Sequence, residues 1–329
     1  MTGFGIKDWK LAGIFVSIAL LLLAFWNVDF NQLWVVVKSA KPLPILAVLL
    51  LNFGIIALKA WRWQLVINAT KVVKFSSVIM TTLVGFMANN LLPARAGELV
   101  RIFALGKREG ISKTTVLGTL ALDRVFDGVG MMAVLVALPF MMETSERMRT
   151  ITLWFVVIIA ALFALVIMLA RQEQAGWVKH LPISDKWMAL AEEMFLKLRD
   201  GFKTVNSFKL TTAVLVVSIG TWFVQALMVM LCLQSIGIDQ FGIPQALFIL
   251  MAINLAIIIP AAPGNFGTFE ISAVVALGML DKGIGDTQRL SFALIYHFVQ
   301  YIPVTLAGIL VLPLLGMGLR DIGKNQEMN

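Results

Sequence analysis

Apolar residues run along this chain in long uncharged blocks that are too long for a soluble core. A helix crosses the hydrocarbon layer of a bilayer with about 20 apolar residues. Blocks of that order cover 11–27, 44–66, 114–141, 151–170, 210–232 and 290–317, and each predicts one spanning helix. Two further apolar regions are broken. One runs over 76–105 and is interrupted from Asn89 to Glu98; the other runs over 244–280 and is interrupted from Pro260 to Glu270. Each half is too short, or too broken by Pro and Gly, to span alone. The pattern predicts a re-entrant pair of half-helices in each region, with two short tilted spans as the alternative. The predicted fold is therefore all-α: a polytopic membrane protein of about six full spans plus two re-entrant half-helix hairpins.

The segment 171–209 reads differently. Trp187, Ala191, Met194, Phe195, Leu198 and Phe202 recur at helical spacing beside Lys186, Glu192, Glu193, Lys197 and Arg199. That predicts an amphipathic helix on the inner membrane surface, linking two halves of one transmembrane domain. Trp26-Asn27 follows the first apolar block with no small-residue cleavage site, so the block reads as an uncleaved anchor.

Composition agrees. Of 329 residues, 59% are hydrophobic and 14% charged, and the mean hydropathy is +0.89. Soluble domains carry about 25% charge. A soluble enzyme, a disordered chain and a disulfide-stapled domain are excluded. Cys232 is the single cysteine, and His180 and His297 lie far apart, so no metal site and no cofactor are expected.

The net charge of +8 reads as a basic cytoplasmic face, and no nucleic-acid partner is expected. With the N-terminus inside, Lys71, Lys74, Lys107, Arg108 and Lys113 flank the first broken region on the inside. The basic 171–209 segment and the C-terminus, with Arg320 and Lys324, are also inside. The outer loops are poorer, with Lys38, Lys41, Arg147, Arg149, Lys282 and Arg289. The same arithmetic makes the second broken region enter from outside.

A shift of 172 positions superposes the two breaks: Glu98 falls on Glu270, Gly106 on Gly278 and Thr115 on Thr287. Both read as half-helix, Pro-Ala, Gly, Glu, half-helix, polar loop, long span. With opposite entry sides this predicts an inverted repeat, 76–141 against 244–317, of the kind that builds transporters around a central site.

Charged groups inside a membrane are costly and usually functional. Three clusters stand out. Arg95, Glu98 and Arg101 lie at the first break, after Asn89 and Asn90. Arg95 and Arg101 either grip a phosphate at the start of a helix, or Arg101 serves as a positive-inside anchor with Glu98 on the helix dipole. Asp123, Arg124 and Asp127 lie in the middle of a span. Arg124 either holds a lipid phosphate with Asp127 orienting it, or forms a buried ion pair. Asn265 and Glu270 lie at the second break, with no basic residue within ten positions of Glu270. Glu270 either carries a proton or caps the re-entrant helix. Pro93 and Gly97 shape the first break; Pro260, Pro263, Gly264 and Gly267 shape the second. Lys59 and Arg62, bracketed by Trp61 and Trp63, read as an aromatic–basic interface anchor. Tyr296, His297, Gln300 and Tyr301 form a polar stripe, in which His297 reads as a packing or hydrogen-bonded residue rather than a proton relay. Gly106-Lys107-Arg108-Glu109-Gly110 lacks Walker spacing, and no nucleophile–base pair stands out, so no catalytic residue is assigned.

The string Asn90-Leu91-Leu92-Pro93-Ala94-Arg95-Ala96-Gly97-Glu98-Leu99-Val100-Arg101, then Leu105-Gly106-Lys107-Arg108-Glu109-Gly110-Ile111-Ser112 and Asp123-Arg124-Val125-Phe126-Asp127, resembles the flippase-like integral membrane family named after the transmembrane region of lysylphosphatidylglycerol synthase. The second-break string, from Pro260 to Glu270, is similar to that family's second motif. The resemblance covers about residues 10 to 320. It implies a prokaryotic cytoplasmic-membrane protein that moves a modified lipid between leaflets. In the synthases a soluble aminoacyl-transferring domain follows this region; here the sequence runs to Asn329, and synthase activity is not carried over. His297 stands where many members hold an arginine, so a shared headgroup choice is not implied.

The expected function is translocation of an anionic or modified phospholipid, or a polyprenyl-phosphate-type lipid, through a central cavity. The headgroup ligands would be Arg95, Arg101, Arg124, Asn89, Asn90 and Asn265. The proton or ion-pair groups would be Glu98, Asp123, Asp127 and Glu270. Membrane lipids are the expected partners. Two alternatives stand beside it: a membrane subunit or enzyme acting on a lipid headgroup with a partner lipid-modifying transferase, and a small-solute secondary transporter.

Overall fold

The computed structural model describes residues 17–25, 28–92, 96–142, 207–258, 262–281 and 283–318, with scattered helical positions between 146 and 168. Among the described residues every regular element is helical. The helices are α1 (Ser17–Phe25), α2 (Phe30–Ser39), α3 (Pro42–Asn68), α4 (Phe75–Leu91), α5 (Gly97–Glu109), α6 (Lys113–Met141), α7 (Phe208–Ser235), α8 (Ile243–Ala256), α9 (Thr268–Leu280) and α10 (Asp286–Val311).

Four of the predicted spans are present as α3, α6, α7 and α10, each long and apolar enough to cross a membrane. The two broken regions are present as α4 with α5 and α8 with α9. Helices of 13 or 14 residues (α5, α8 and α9) reach about 20 Å, short of the roughly 30 Å hydrocarbon core. The first predicted span is described only over 17–25. The span at 151–170 is described only at scattered positions, and the amphipathic linker of 171–209 lies largely outside the described residues. One helix was not expected from hydropathy. α2 starts at Asp29, whose side chain accepts from the backbone N–H groups of Asn31 and Gln32 at 2.8 and 3.2 Å. That N-cap starts a helix where the apolar pattern shows none.

The described helices gather into two compact units. The first takes the chain up to Ile55, then 83–97, then 223 onward; the second takes 56–82 and 98–222. In the second unit, Ala60, Trp63, Ile67, Val73, Val78, Ile102, Leu105, Val116 and Leu120 form one buried cluster. The Trp63 indole N–H donates to Thr119 Oγ1 at 3.2 Å, which satisfies the polar atom of a fully buried ring. In the first unit α9 packs on α8 and α10, and α10 packs on α2. Pro303 lies inside α10 and denies an N–H to the Val299 carbonyl one turn back. Asn52 of α3 supplies the missing donor, its Nδ2 lying 3.2 Å from that oxygen. Freed backbone groups at membrane depth need such a substitute. Large apolar side chains such as Leu50, Val216, Leu306 and Leu310 are exposed, as lipid-facing residues are.

Candidate functional site

Asp123 and Asp127 stand one turn apart on α6 and present two carboxylates on one face. In the second unit α3 brings Arg62 against both. Its Nε and Nη2 donate to the two Asp123 oxygens at 2.8 and 3.1 Å, its Nη1 donates to Asp127 Oδ1 at 2.6 Å, and Ser218 Oγ lies 3.4 Å from the same Nη1. Arg62 is fully buried. The reading of Arg62 as an interface anchor is therefore corrected. It lies six residues, about 9 Å, inside the end of α3. A planar guanidinium with five donors matches two carboxylates in a way that a snorkelling side chain would not.

Arg124 points to the other side. Its side chain is 41% exposed; it pairs with Glu98 in the first turn of α5 and lies 3.8 Å from Asp127. Arg101, one turn further along α5, is buried. Its Nη1 reaches Glu98 at 3.5 Å, its Nη2 reaches Thr82 Oγ1 at 3.5 Å, and its guanidinium lies 4.2 Å from the Trp63 ring centroid. The charges thus alternate along Arg101, Glu98, Arg124, Asp127, Arg62 and Asp123, three cations against three carboxylates. Lys59 stands one turn before Arg62 on α3, half-buried and within Coulombic range of Asp127, Arg62 and Arg124. Among the described residues it makes no ion pair and no hydrogen bond. The cluster therefore holds four basic side chains against three carboxylates.

At the first break, in the first unit, Asn89 Oδ1 accepts from the Gly97 N–H at 2.8 Å and ties one side of the break to the other. A Cβ on Gly97 would lie 1.9 Å from the Gly85 carbonyl oxygen, so only glycine allows this approach. Asn90 Nδ2 donates to Thr305 Oγ1 at 2.8 Å and lies 3.3 Å from the Tyr301 carbonyl; the Tyr301 hydroxyl donates to the Asn90 carbonyl at 3.2 Å. Pro93 and Arg95 lie outside the described residues.

At the second break, Pro263 opens a short 3₁₀ turn, Pro263–Asn265, and Gly264, Asn265 and Gly267 take φ of 74°, 59° and 90°. The Asn265 N–H donates to the Ala262 carbonyl at 3.0 Å, and its own carbonyl accepts from Thr268 Oγ1 at 2.9 Å. Pro260 lies outside the described residues. Glu270 Oε2 accepts from the Gly267 N–H at 2.7 Å and caps α9. Its other oxygen, Oε1, lies 2.6 Å from His297 Nδ1, and His297 Nε2 lies 3.0 Å from the Gly264 carbonyl oxygen. Both side chains are almost wholly buried. Phe269 stacks on the imidazole at 4.2 Å, with Phe266 at 4.8 Å.

Glu270 is thus not the isolated carboxylate that its sequence neighbours suggest. Its partner arrives from α10, 27 residues on, because the α9–α10 turn folds one helix against the other. Tyr301, one turn beyond His297, touches both breaks. Its hydroxyl binds Asn90, and its ring lies 5.3 Å from that of Phe266. Gly264 leaves the room, since a Cβ there would meet Tyr301 Cε2 at 2.6 Å. Arg62 and Tyr301 are the residues whose roles sequence reasoning missed, and for His297, read as a packing or hydrogen-bonded residue, it missed the partner Glu270. The one signal in the sequence was polarity at helical spacing inside apolar blocks.

The family profile described as the lysylphosphatidylglycerol synthase TM region matches residues 10–308. The chain is also similar to proteins named UPF0104 membrane protein. One from Methanothermobacter thermautotrophicus is 23% identical over 278 residues, 79% of this chain and 80% of the relative. One from Methanocaldococcus jannaschii is 25% identical over 247 residues, 73% of this chain and 98% of the relative. Another M. thermautotrophicus protein is 22% identical over 306 residues, 86% of this chain and 89% of the relative.

Proposed function

Since the chain belongs to the family of the lysylphosphatidylglycerol synthase transmembrane region and is a multi-pass membrane protein, we propose that it translocates an anionic phospholipid or polyprenyl-phosphate-type lipid between leaflets, without changing the lipid chemically. The observation that supports this reading is the fourth basic side chain, Lys59, standing outside the ion-pair chain and beside the half-exposed Arg124. Charges at membrane depth are retained where they are paired or used. Six of the seven pair with one another, and among the described residues the seventh, Lys59, has no ion-pair partner. A phosphodiester fits: its oxygens accept from the Arg124 fork, and Lys59 acts as a point charge.

In this reading the half-length pairs α4–α5 and α8–α9 form an inverted repeat whose two copies re-enter from opposite sides. The α3–α4 and α5–α6 turns face the cytoplasm. They gather Lys71, Lys74, Lys107, Arg108 and Lys113, with the Lys71 ammonium on the Glu109 carbonyl and Arg108 Nε donating to Ser77 Oγ at 2.9 Å.

The test is native mass spectrometry of wild type, Lys59→Gln and Arg124→Lys after mixing with phosphatidylglycerol and phosphatidylethanolamine. The wild type retains the anionic lipid in preference. Lys59→Gln loses that preference, and Arg124→Lys retains the lipid about tenfold more weakly, because charge stays while the fork is lost. Equal retention of both lipids by wild type, or unchanged preference in both variants, overturns the reading. Labelled phosphatidylglycerol in liposomes then reports flipping, which Lys59→Gln slows.

A further inference from the structure

We infer that Glu270 and His297 together form a binding site for one proton, and that this proton clamps the second break shut. The Gly264 carbonyl can only accept, so a hydrogen bond at 3.0 Å requires a proton on His297 Nε2. The 2.6 Å contact between Nδ1 and Glu270 Oε1 requires a second proton between those atoms. A neutral imidazole carries only one. With an ionised Glu270 and a neutral His297, one of the two ring contacts must set a nitrogen lone pair against an oxygen lone pair. Both contacts are satisfied only when the pair holds one proton more. It sits either on the ring, as imidazolium and carboxylate, or on the carboxyl, as imidazole and acid. In both forms the pair is neutral overall, which suits a buried site lined by Phe266 and Phe269.

The proton is coupled to the backbone. With it bound, His297 holds the Gly264 carbonyl and Glu270 holds the Gly267 N–H at 2.7 Å, so the turn is gripped at both ends. Gly264 and Gly267 both have φ above 70°, where glycine moves with least cost. When the proton leaves to water, one ring contact becomes repulsive, and either the Gly264 carbonyl or the Glu270 carboxylate is released. Among the described residues the groups facing the pair are neutral: Tyr296 and Tyr301 on α10, Phe269 on α9 and Phe266 in the turn itself. Asn90 of α4 stands behind Tyr301, Cys232 of α7 stands beside Tyr296, and Ser17 of α1 accepts from the Ala262 N–H at 2.6 Å. Among the described residues no lysine, arginine or second carboxylate makes an ion pair with Glu270 or His297. The proton is thus the one charge that the environment adjusts. The site lies within the first unit and does not depend on the lipid reading.

Glu270→Gln separates a proton site from a plain cap. Its amide oxygen can accept from Gly267 while its NH₂ donates to Nδ1 of a neutral His297, whose Nε2–H still reaches Gly264. The variant reproduces every bond of the proton-bound state and cannot release the proton. The experiment is hydrogen–deuterium exchange of the full chain in nanodiscs, following amides 264–271 across a pH series and correcting for intrinsic exchange. In wild type the corrected exchange rises with pH by about tenfold or more, the size of losing one charge-assisted hydrogen bond. Glu270→Gln stays slow at every pH, and His297→Phe is fast at every pH. A wild type without the rise, a Glu270→Gln that keeps it, or a Glu270→Gln as open as His297→Phe each overturns the inference.

Discussion

Arg62 and Asp123 are joined side by side: two guanidinium nitrogens reach the two oxygens of one carboxylate, at 2.8 and 3.1 Å, across 61 positions of sequence. Both residues are buried, and the remaining Nη1 of Arg62 is used by Asp127. Removing one partner of a buried pair leaves an uncompensated charge and costs about 3–5 kcal/mol. Arg62→Met should therefore lower the thermal unfolding midpoint of the purified protein sharply. The triple variant Arg62→Met, Asp123→Leu, Asp127→Leu should recover much of the loss. A double-mutant cycle on Arg62 and Asp123 that shows no coupling would refute the pairing.

Helix contact in the first unit rests on a missing side chain. A Cβ on Gly308 of α10 would lie 2.3 Å from Met87 Cβ and 2.9 Å from the Leu83 carbonyl of α4, whereas a Cβ on Gly220 of α7 meets nothing within 4 Å. Gly308→Ala should destabilise by about 1–3 kcal/mol through overpacking. Gly220→Ala should be neutral or stabilise by up to about 1 kcal/mol through helix propensity. Melting curves of the two variants in one detergent compare them directly. Equal midpoints would mean that α4 and α10 do not approach as described.

Asn52 and Pro303 should be coupled although they do not touch in sequence. Asn52→Leu removes the donor that the Val299 carbonyl lacks because of Pro303, at a cost of about 1–3 kcal/mol. Pro303→Ala restores the helix's own N–H for that oxygen. In the Pro303→Ala background, Asn52→Leu should cost clearly less than in wild type. Additive effects would show that Asn52 serves the helix in some other way.

Much was legible in the chain itself. Blocks of uncharged residues long enough to cross a bilayer mark α3, α6, α7 and α10, because the apolar length of a span is a one-dimensional property. The Pro and Gly clusters mark the two breaks, because both act on the backbone that carries them. The spacing of Asp123 and Asp127 marks a shared helix face, because i and i+4 positions meet in any α-helix. Partners were another matter. Arg62 read as a surface anchor because Trp61 and Trp63 flank it, yet only packing of α3 on α6 turns it toward two aspartates. Glu270 read as unpaired because no cation lies near it in sequence, yet α10 delivers His297 to it. Tyr301 gave no signal of touching both breaks. A hydrogen bond is decided over about 3 Å, and the helices that bring its two ends together are chosen by burial and close packing along their whole length, which no local pattern records.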